Sequence, residues 1–549
     1  MNAKTDSQPV AVPNVAEVVL NYSPNDDNRI AAFNMAENLK TVFRFHSTAG
    51  DNGDIWVYDA SRGIWTARGR ELIAEIITRS MGQFFKTRIL SEVINQIRNL
   101  TRNDNVKLGG MAPSRIVMAN GVFDMDTCTF SPEFNPDDYQ LMALSYEYDS
   151  KANCPRFKLF LEEVCPNEDE RLALVEFMGY CLVHHHRIHT FIVLVGSGEN
   201  GKSKFCGALI EMLGKENITG MTIQQLAYDN FMAASLLDKL ANICPDIPDS
   251  PINSTGKIKA LTGEDLIQVQ KKHHDNFTLQ NHAKLLFSAN QIPVVANPKD
   301  AWFRRVRIIE FPNQFLISNE KRDENLAEKL AAEVQGIFNL AVEGWQRLKA
   351  QGRLTGAKST EMNRTDYLMR SSPLQYFVYR YCKPDLESKI TVNAAFHCYK
   401  QVSINLGKVP ISKNWFSTRL LDLLENVEGR QMKIAGKNTR VYVGLRIDLD
   451  LLSKDVGNDE HGISLHKDAR GENIVYKMTE TVFDVTPLLK LWSSRNLDYG
   501  LPINFDTLDD REKDVMTKGT EFEYTKNDPK SLNIPRTIRK ASMVQIPTA

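Results

Sequence analysis

Two hydrophobic periods divide this chain. Between Ile30 and Asp149 they interleave: helical spacing predicts helices over Ala31 to Val42 and through Glu71 to Leu100, Ile55 to Tyr58 and Gly63 to Trp65 read as a hairpin, and Ile116 to Met118 and Gly121 to Asp124 as short strands. Phe157, Phe160, Leu161, Val164, Leu174, Phe177 and Met178 recur at helical spacing with a break at Cys165-Pro166, which predicts two helices. An unbroken apolar run follows, Phe191-Ile192-Val193-Leu194-Val195, the mark of a strand buried on both faces. A glycine-rich turn then leads into a helical stretch, Phe205 to Leu213. Leu236 to Asp246 and Lys284 to Asn290 read as apolar strands with polar ends, Thr255 to Leu261 as a helix, and Leu266 to Gln270 with Phe277 to Leu279 as the arms of a β-hairpin. Helical period runs from Asp323 to Leu348, and Gly352 to Arg370 is polar and linker-like. From Ser372 come two helices, a third at Trp415 to Leu424 and a hairpin from Lys433 to Val443, the order of a winged helix. In the tail only Val482 to Trp492 suggests structure.

These patterns give an α/β chain in seven parts: a mobile leader (1–29), an α+β domain (30–149), a helical collar (150–189), a P-loop ATPase domain (190–350), a linker (351–371), a winged-helix domain (372–447) and an extension of no assigned role (448–549). The whole-chain charge of -1 leaves nucleic-acid binding to local surfaces. One such surface lies between Tyr399 and Arg446, where nine basic residues against three acids give a balance of +6, and it suits either a nucleic-acid backbone or a docked protein. The 8 cysteines form no CxxC pair, which argues against a zinc ribbon or disulfide framework and fits a reducing cytoplasm. No apolar run reaches the roughly 18 residues of a membrane span. Trp56 and Trp65, flanking a turn, read as core rather than as base-stacking groups. His184, His185, His186 and His189 lack matching carboxylate or thiol spacing and read as a solvated turn rather than a metal site.

Chemistry concentrates in the turn after Val195, Gly196-Ser197-Gly198-Glu199-Asn200-Gly201-Lys202-Ser203. Gly196, Gly198, Asn200 and Gly201 allow backbone amides to turn in on phosphate oxygens, Lys202 reaches the β and γ phosphates, and the Ser203 hydroxyl suits magnesium. Strand, loop and helix in this order define a nucleoside-triphosphate site, with ATP and Mg2+ as its ligands. Asp246, with Asp249 as alternative, is the acid expected at a strand end to hold the metal, and Asn290 is placed to orient the attacking water. Arg304 and Arg305 form a basic edge able to stabilise transition-state charge on a neighbour's nucleotide. The hairpin tip, Lys271-Lys272-His273-His274, suits phosphate contact.

Phosphate loop, Asp246 strand, basic hairpin, Asn290 strand and arginine pair occur in the order found in superfamily 3 helicases. The chain resembles the helicase part of phage and plasmid primase-helicases, the group that includes the poxvirus-type helicase-primase. Asn120-Gly121-Val122-Phe123-Asp124, Cys154-Pro155-Arg156-Phe157 and Glu176-Phe177-Met178-Gly179-Tyr180 resemble the short runs that precede the loop there. The resemblance covers roughly residues 40 to 445. It implies an AAA+ core, nucleotide and magnesium held by Lys202 and Ser203 with Asp246, and a γ-phosphate sensor at Asn290. It further implies Arg304 or Arg305 acting across a subunit boundary, and Lys271, Lys272 and His273 gripping DNA in the channel of a homo-hexamer. Single-stranded and forked DNA would be its partners, 3′ to 5′ its direction, a bacterial host's cytoplasm its location, and a separate primase or polymerase its companion. Lys204 departs from the family's usual second hydroxyl, Asp246 lacks an adjacent acid, and the upstream region is short for a primase domain, so priming is not expected. A DNA remodeller or packaging motor, or a nucleotide-gated origin-binding protein without unwinding, fits the same residues.

Overall fold

The apolar run before the glycine-rich turn becomes a strand at the heart of a five-stranded parallel sheet, in a computed structural model that describes residues 20, 27–48, 54–106, 108–109, 112–270, 276–296, 298–315, 323–434 and 437–456, with the backbone of 463–467 and 473–478. The chain divides into two units between Ser359 and Thr360.

In the first unit, α1 (Asn28–Val42) precedes a sheet of β1 (Phe45–Ser47), β2 (Ile55–Asp59) and β3 (Ile64–Thr66), followed by α2 (Gly69–Met81), α3 (Thr87–Leu100) and a second sheet of β4 (Arg115–Met118), β5 (Gly121–Asp124) and β6 (Thr129–Ser131). Trp65 is core: its Nε1 donates to Pro136 O at 2.8 Å and its ring stacks on Tyr139. Next come α4 (Pro155–Val164), α5 (Glu168–Tyr180), β7 (Phe191–Val195), α6 (Lys202–Leu213), β8 (Ile218–Thr219), α7 (Ile223–Tyr228), α8 (Asn230–Ala234), β9 (Ala241–Cys244) and α9 (Gly256–Leu261). The hairpin β10 (Leu266–Gln270) and β11 (Asn276–Gln280) precedes β12 (Lys284–Ala289), α10 (Asp300–Phe303), β13 (Val306–Glu310), α11 (Leu326–Ala332) and α12 (Val334–Gln351).

The main sheet has the order β13-β7-β12-β9-β8, every pairing parallel. Crossover helices cover such a sheet, so its central strands are mostly apolar, and every residue of β9 and β12 is buried, Asn242, Lys284 and Ser288 included. The strand expected from Leu236 begins only at Ala241, because Ser235 to Lys239 make turns and Asp238 sits at positive φ.

Helical period from Asp323 to Leu348 yields two helices broken at Glu333, whose carboxylate accepts the backbone N–H of Arg156 (3.0 Å) and of Phe157 (2.9 Å) and so caps α4. α12 lies against α5 so closely that a Cβ on Gly344 would come within 2.4 Å of Val175 O. The fully buried Glu176 carboxylate is satisfied by Arg347 Nε and Thr355 N, both at 2.7 Å, and by the Thr355 hydroxyl, which ties α5 and α12 to the end of this unit.

The histidine run is not a solvated turn. His186 is buried, with Nε2 3.2 Å from Ala283 O, and the His184 ring lies 4.8 Å from that of His282. Burial first, then the Lys284 charge, brings the His184 pKa down to about 3 and that of His185 to about 4, so both rings pack neutral, and only His189 is exposed. Lys284 is itself buried in β12. Its Nζ donates to Val183 O (2.7 Å) and His282 O (2.6 Å) and stands 4.5 Å from the Tyr180 ring centroid.

The second unit holds α13 (Thr360–Ser371), α14 (Pro373–Tyr381), β14 (Cys382–Thr391), α15 (Val392–Asn405), α16 (Lys413–Leu423), β15 (Glu428–Ile434), β16 (Lys437–Ile447), α17 (Leu449–Val456), β17 (Ile463–Lys467) and β18 (Asn473–Met478). Part of the expected linker is thus the helix α13, anchored by buried Tyr367 and Leu368. Three helices and a hairpin occur where expected, joined by the unforeseen β14 in a sheet ordered β15-β16-β14-β18-β17. The leader apart from Leu20 and residues 27–29, the hairpin tip 271–275 and the stretch Val482 to Trp492 lie outside the described residues. No described helix is long and apolar enough to cross a membrane.

Candidate nucleotide site

β7 delivers the glycine-rich loop to the carboxyl edge of the sheet, and α6 starts at Lys202. Gly201 takes φ 87°, and a Cβ there would stand 2.5 Å from Val164 Cγ1, so conformation and contact both require glycine. Lys202 is buried and its Nζ donates to Gly196 O (2.8 Å), Asn200 Oδ1 (3.1 Å) and Asn290 Oδ1 (3.3 Å). All three acceptors are neutral. Burial lowers the Lys202 pKa, opposed by the Asp246 charge. Asn200 Oδ1 also accepts from Gly198 N at 2.6 Å, while its buried Nδ2 has no partner among the described residues. A buried cation held only by neutral oxygens, beside an orphan donor, is what an anion-binding cradle leaves when described without its anion.

Strand order brings the remaining groups in. β12 lies between β7 and β9, so Asn290 reaches Lys202 and Asp246 approaches from the far side. A cleft of about 680 Å³ is lined by Gly198, Asn200, Gly201, Lys202, Ser203, Asp246 and Asn290 among others, within the usual size of ligand sites. Asp249 does not line it. Ser203 and Asp246 present a hydroxyl and a carboxylate, the hard oxygen donors magnesium takes, and they are the pair that would hold it.

The arginine pair separates. Arg304 is exposed with no side-chain partner among the described residues, whereas Arg305 is half-buried, donates Nη1 to Ala301 O at 3.0 Å and has its pKa lowered by burial and then by Arg304. Neither lines the cleft of its own chain. Lys271, Lys272 and His273 fall outside the described residues, and the pairing Gln270↔Asn276 closes the described hairpin beneath them.

Sequence reasoning missed the far wall. Arg156 and Glu163 on α4, Phe315, and Asp323, Glu324 and Leu326 before and within α11 also line the cleft. Positions 156, 160, 163 and 164 share one helical face, which in sequence is indistinguishable from an ordinary core stripe.

Comparisons with known proteins agree with this geometry at a coarser level. Residues 36–166 match the family described as D5 N terminal like, and residues 194–305, from the end of β7 to Arg305, match a family of unknown function, DUF5906. Over 338 residues the chain is 25% identical to "Putative helicase L207/L206" of Acanthamoeba polyphaga mimivirus, covering 56% of this chain and 34% of that protein. It is 28% identical over 236 residues to "Putative helicase 184R" of Invertebrate iridescent virus 6, covering 38% of this chain and 24% of the relative. The chain therefore spans about a third or less of the curated relatives it matches. Among solved structures, the apo C-terminal region of NrS-1 (305–718) aligns with 75% of this chain and 99% of its own at 12% identity and a TM-score of 0.40, a likeness too remote to carry an argument. The relatives are viral proteins named as helicases, the upstream region is D5-like, and the parallel sheet with its loop fits an α/β nucleotide-binding core.

Proposed function

We propose that the chain is an ATP-dependent DNA helicase of the superfamily 3, AAA+ type, working as a hexameric ring in the replication of a virus or other mobile element. The observation that carries this reading is the convergence of Lys202, Asn290 and Asp246 on one cleft, with Asn290 Oδ1 3.3 Å from Lys202 Nζ. The strand order supports it, because the loop strand is flanked by the Asn290 strand and by the strand after the arginine pair. Lys202 and the loop amides bind the β and γ phosphates, and Ser203 and Asp246 hold magnesium, which supplies charge neutralisation when bound. Asn290 orients water toward the γ phosphate. Arg304, exposed and without a side-chain partner among the described residues, completes the neighbour's cleft, and Arg305 keeps the α10 turn in place. Lys271, Lys272 and His273 contact one DNA strand, and the second unit acts as a basic winged helix beside the fork. Direction is 3′ to 5′, and a primase or polymerase is its partner in replication.

Strand displacement on forked DNA tests the reading. The chain should release the labelled strand only with ATP and magnesium, and Arg304→Ala should abolish release while nucleotide binding persists. ATP hydrolysis with no strand released would replace the helicase by a remodelling ATPase.

A further inference from the structure

We infer that Trp415, on the outer side of α16, is a stacking platform for an unpaired base of single-stranded DNA whose phosphates follow the basic strands β15 and β16. This rests on the reading of the second unit as a DNA-binding module and adds to it the form of DNA recognised and the residue that recognises it.

α16 is anchored by one side and presents Trp415 on the other. Phe416 and Leu420 are fully buried, the Phe416 ring stacks on that of Tyr399 with centroids 5.0 Å apart, and the Ser417 hydroxyl lies 3.0 Å from the Tyr442 hydroxyl of β16. Trp415 stands outside this packing and is 51% exposed. One turn further on, Arg419 sets its guanidinium over the indole, 5.3 Å from the ring centroid, a contact within the helix that orients the ring without burying it. Lys413 and Arg419 are exposed and have no carboxylate partner among the described residues. On the adjoining strands Lys433, Lys437 and Arg440 are exposed, while Glu428, the acid of β15 and β16, is held by Arg430 at 2.6 Å. Ala435 and Gly436, between those strands, carry no charge. A Cβ on Gly429 would lie 3.6 Å from both the Arg440 guanidinium and Leu421 Cδ1 of α16, so helix and strands form one basic surface. Leu421 is roughly 9 Å along the helix axis from Trp415.

That surroundings are basic and polar decides what covers the ring. The core of a protein interface is depleted in charge, whereas Trp415 shares its side of the helix with exposed Lys413, Asn414, Thr418 and Arg419. Cations around a flat aromatic face match a nucleic-acid strand, which offers a π-face and phosphates together. Within a duplex each base face is already covered by its neighbours, so an indole meets a free face only where bases are unpaired. Such a contact is tolerant of sequence, because every base has a π-face, and the phosphates supply the salt-dependent part of the binding.

Fluorescence anisotropy of the full chain with labelled oligo(dT) and with an abasic oligomer of equal length separates stacking from charge, since the two ligands carry the same phosphates. Wild type should hold oligo(dT) at least about tenfold more tightly than the abasic strand. Trp415→Ala should weaken oligo(dT) about tenfold and leave the abasic strand within about twofold, and Trp415→Phe, which keeps an aromatic face, should recover most of the loss. Equal wild-type affinity for the two strands, or parallel weakening of both in Trp415→Ala, overturns the inference. Unchanged oligo(dT) affinity in that variant overturns it too and gives the ring to a protein partner. Weakened binding of a relaxed circular duplex by Trp415→Ala would place the ring in a groove and likewise overturns it. Lys433→Gln combined with Arg440→Gln should weaken both strands alike. Unchanged affinity for both in that double variant overturns the DNA-binding reading of the second unit instead, an outcome distinguishable from failure of the stacking ring.

Discussion

The molecule contains two five-stranded sheets built on different plans. In the five-stranded sheet of the first unit every pairing is parallel, the central strands are buried on both faces, and the candidate site residues lie past the strand ends, where Lys202, Asp246 and Asn290 line one cleft. In the second unit β15 pairs with β16 and β14 with β16 antiparallel, and polar groups are spread along the strands: Ile434 and Val441 turn inward while Lys433 and Arg440 stay exposed. A sheet buried on both faces concentrates function at one edge, whereas a half-exposed sheet offers a broad charged surface. The first suits a small ligand and the second a polymer.

That contrast can be broken at several levels. Lys202→Ala should give the largest effect, a loss of ATP hydrolysis of about a thousandfold with circular dichroism unchanged, since it removes the cation of the phosphate cradle. Retained hydrolysis would remove the edge of the parallel sheet from the chemistry. Leu286→Ala, fully buried between Ile192 and Ile243, should destabilise the first unit by about 2 to 5 kcal/mol in denaturant unfolding. Replacing Lys433 and Arg440 by Gln should leave basal hydrolysis intact while lowering the slope of log affinity for DNA against log salt by about 2. An unchanged slope would assign that surface to a protein partner. The smallest effect concerns pH. Burial brings the Lys284 pKa to about 7, so from about pH 7 up to the unfolded value of 10.5 the unfolded chain binds more protons and stability rises with pH. Lys284→Met should flatten that rise in thermal unfolding scans taken between pH 7 and 10.

Much of the first sheet was legible because its information is local. The apolar run, the loop and α6 are contiguous, and β12 ends at Ala289 with Asn290 next after it, one residue short of the expected strand. What escaped is set by distant partners. β8 is two residues long, and β14 is polar along most of its length and carries Pro384, so neither shows a period. α13 reads as linker because only Tyr367 and Leu368 are buried in twelve residues. The histidines look solvated until β12 and the segment before it cover them, as His282 and Ala283 do. The candidate site divides likewise: its loop side is a contiguous motif, and its opposite wall joins Arg156 to Asp323 across the chain without any local signature.

The cap that Glu333 places on α4 has a mechanical meaning. It fastens the wall of the cleft to the start of an 18-residue helix, a rod of about 27 Å, whose far end lies beside the Glu176–Thr355 anchor where the first unit finishes. The same helix therefore braces that wall and the Glu176–Thr355 anchor at once, as a tie beam holds two ends of a frame.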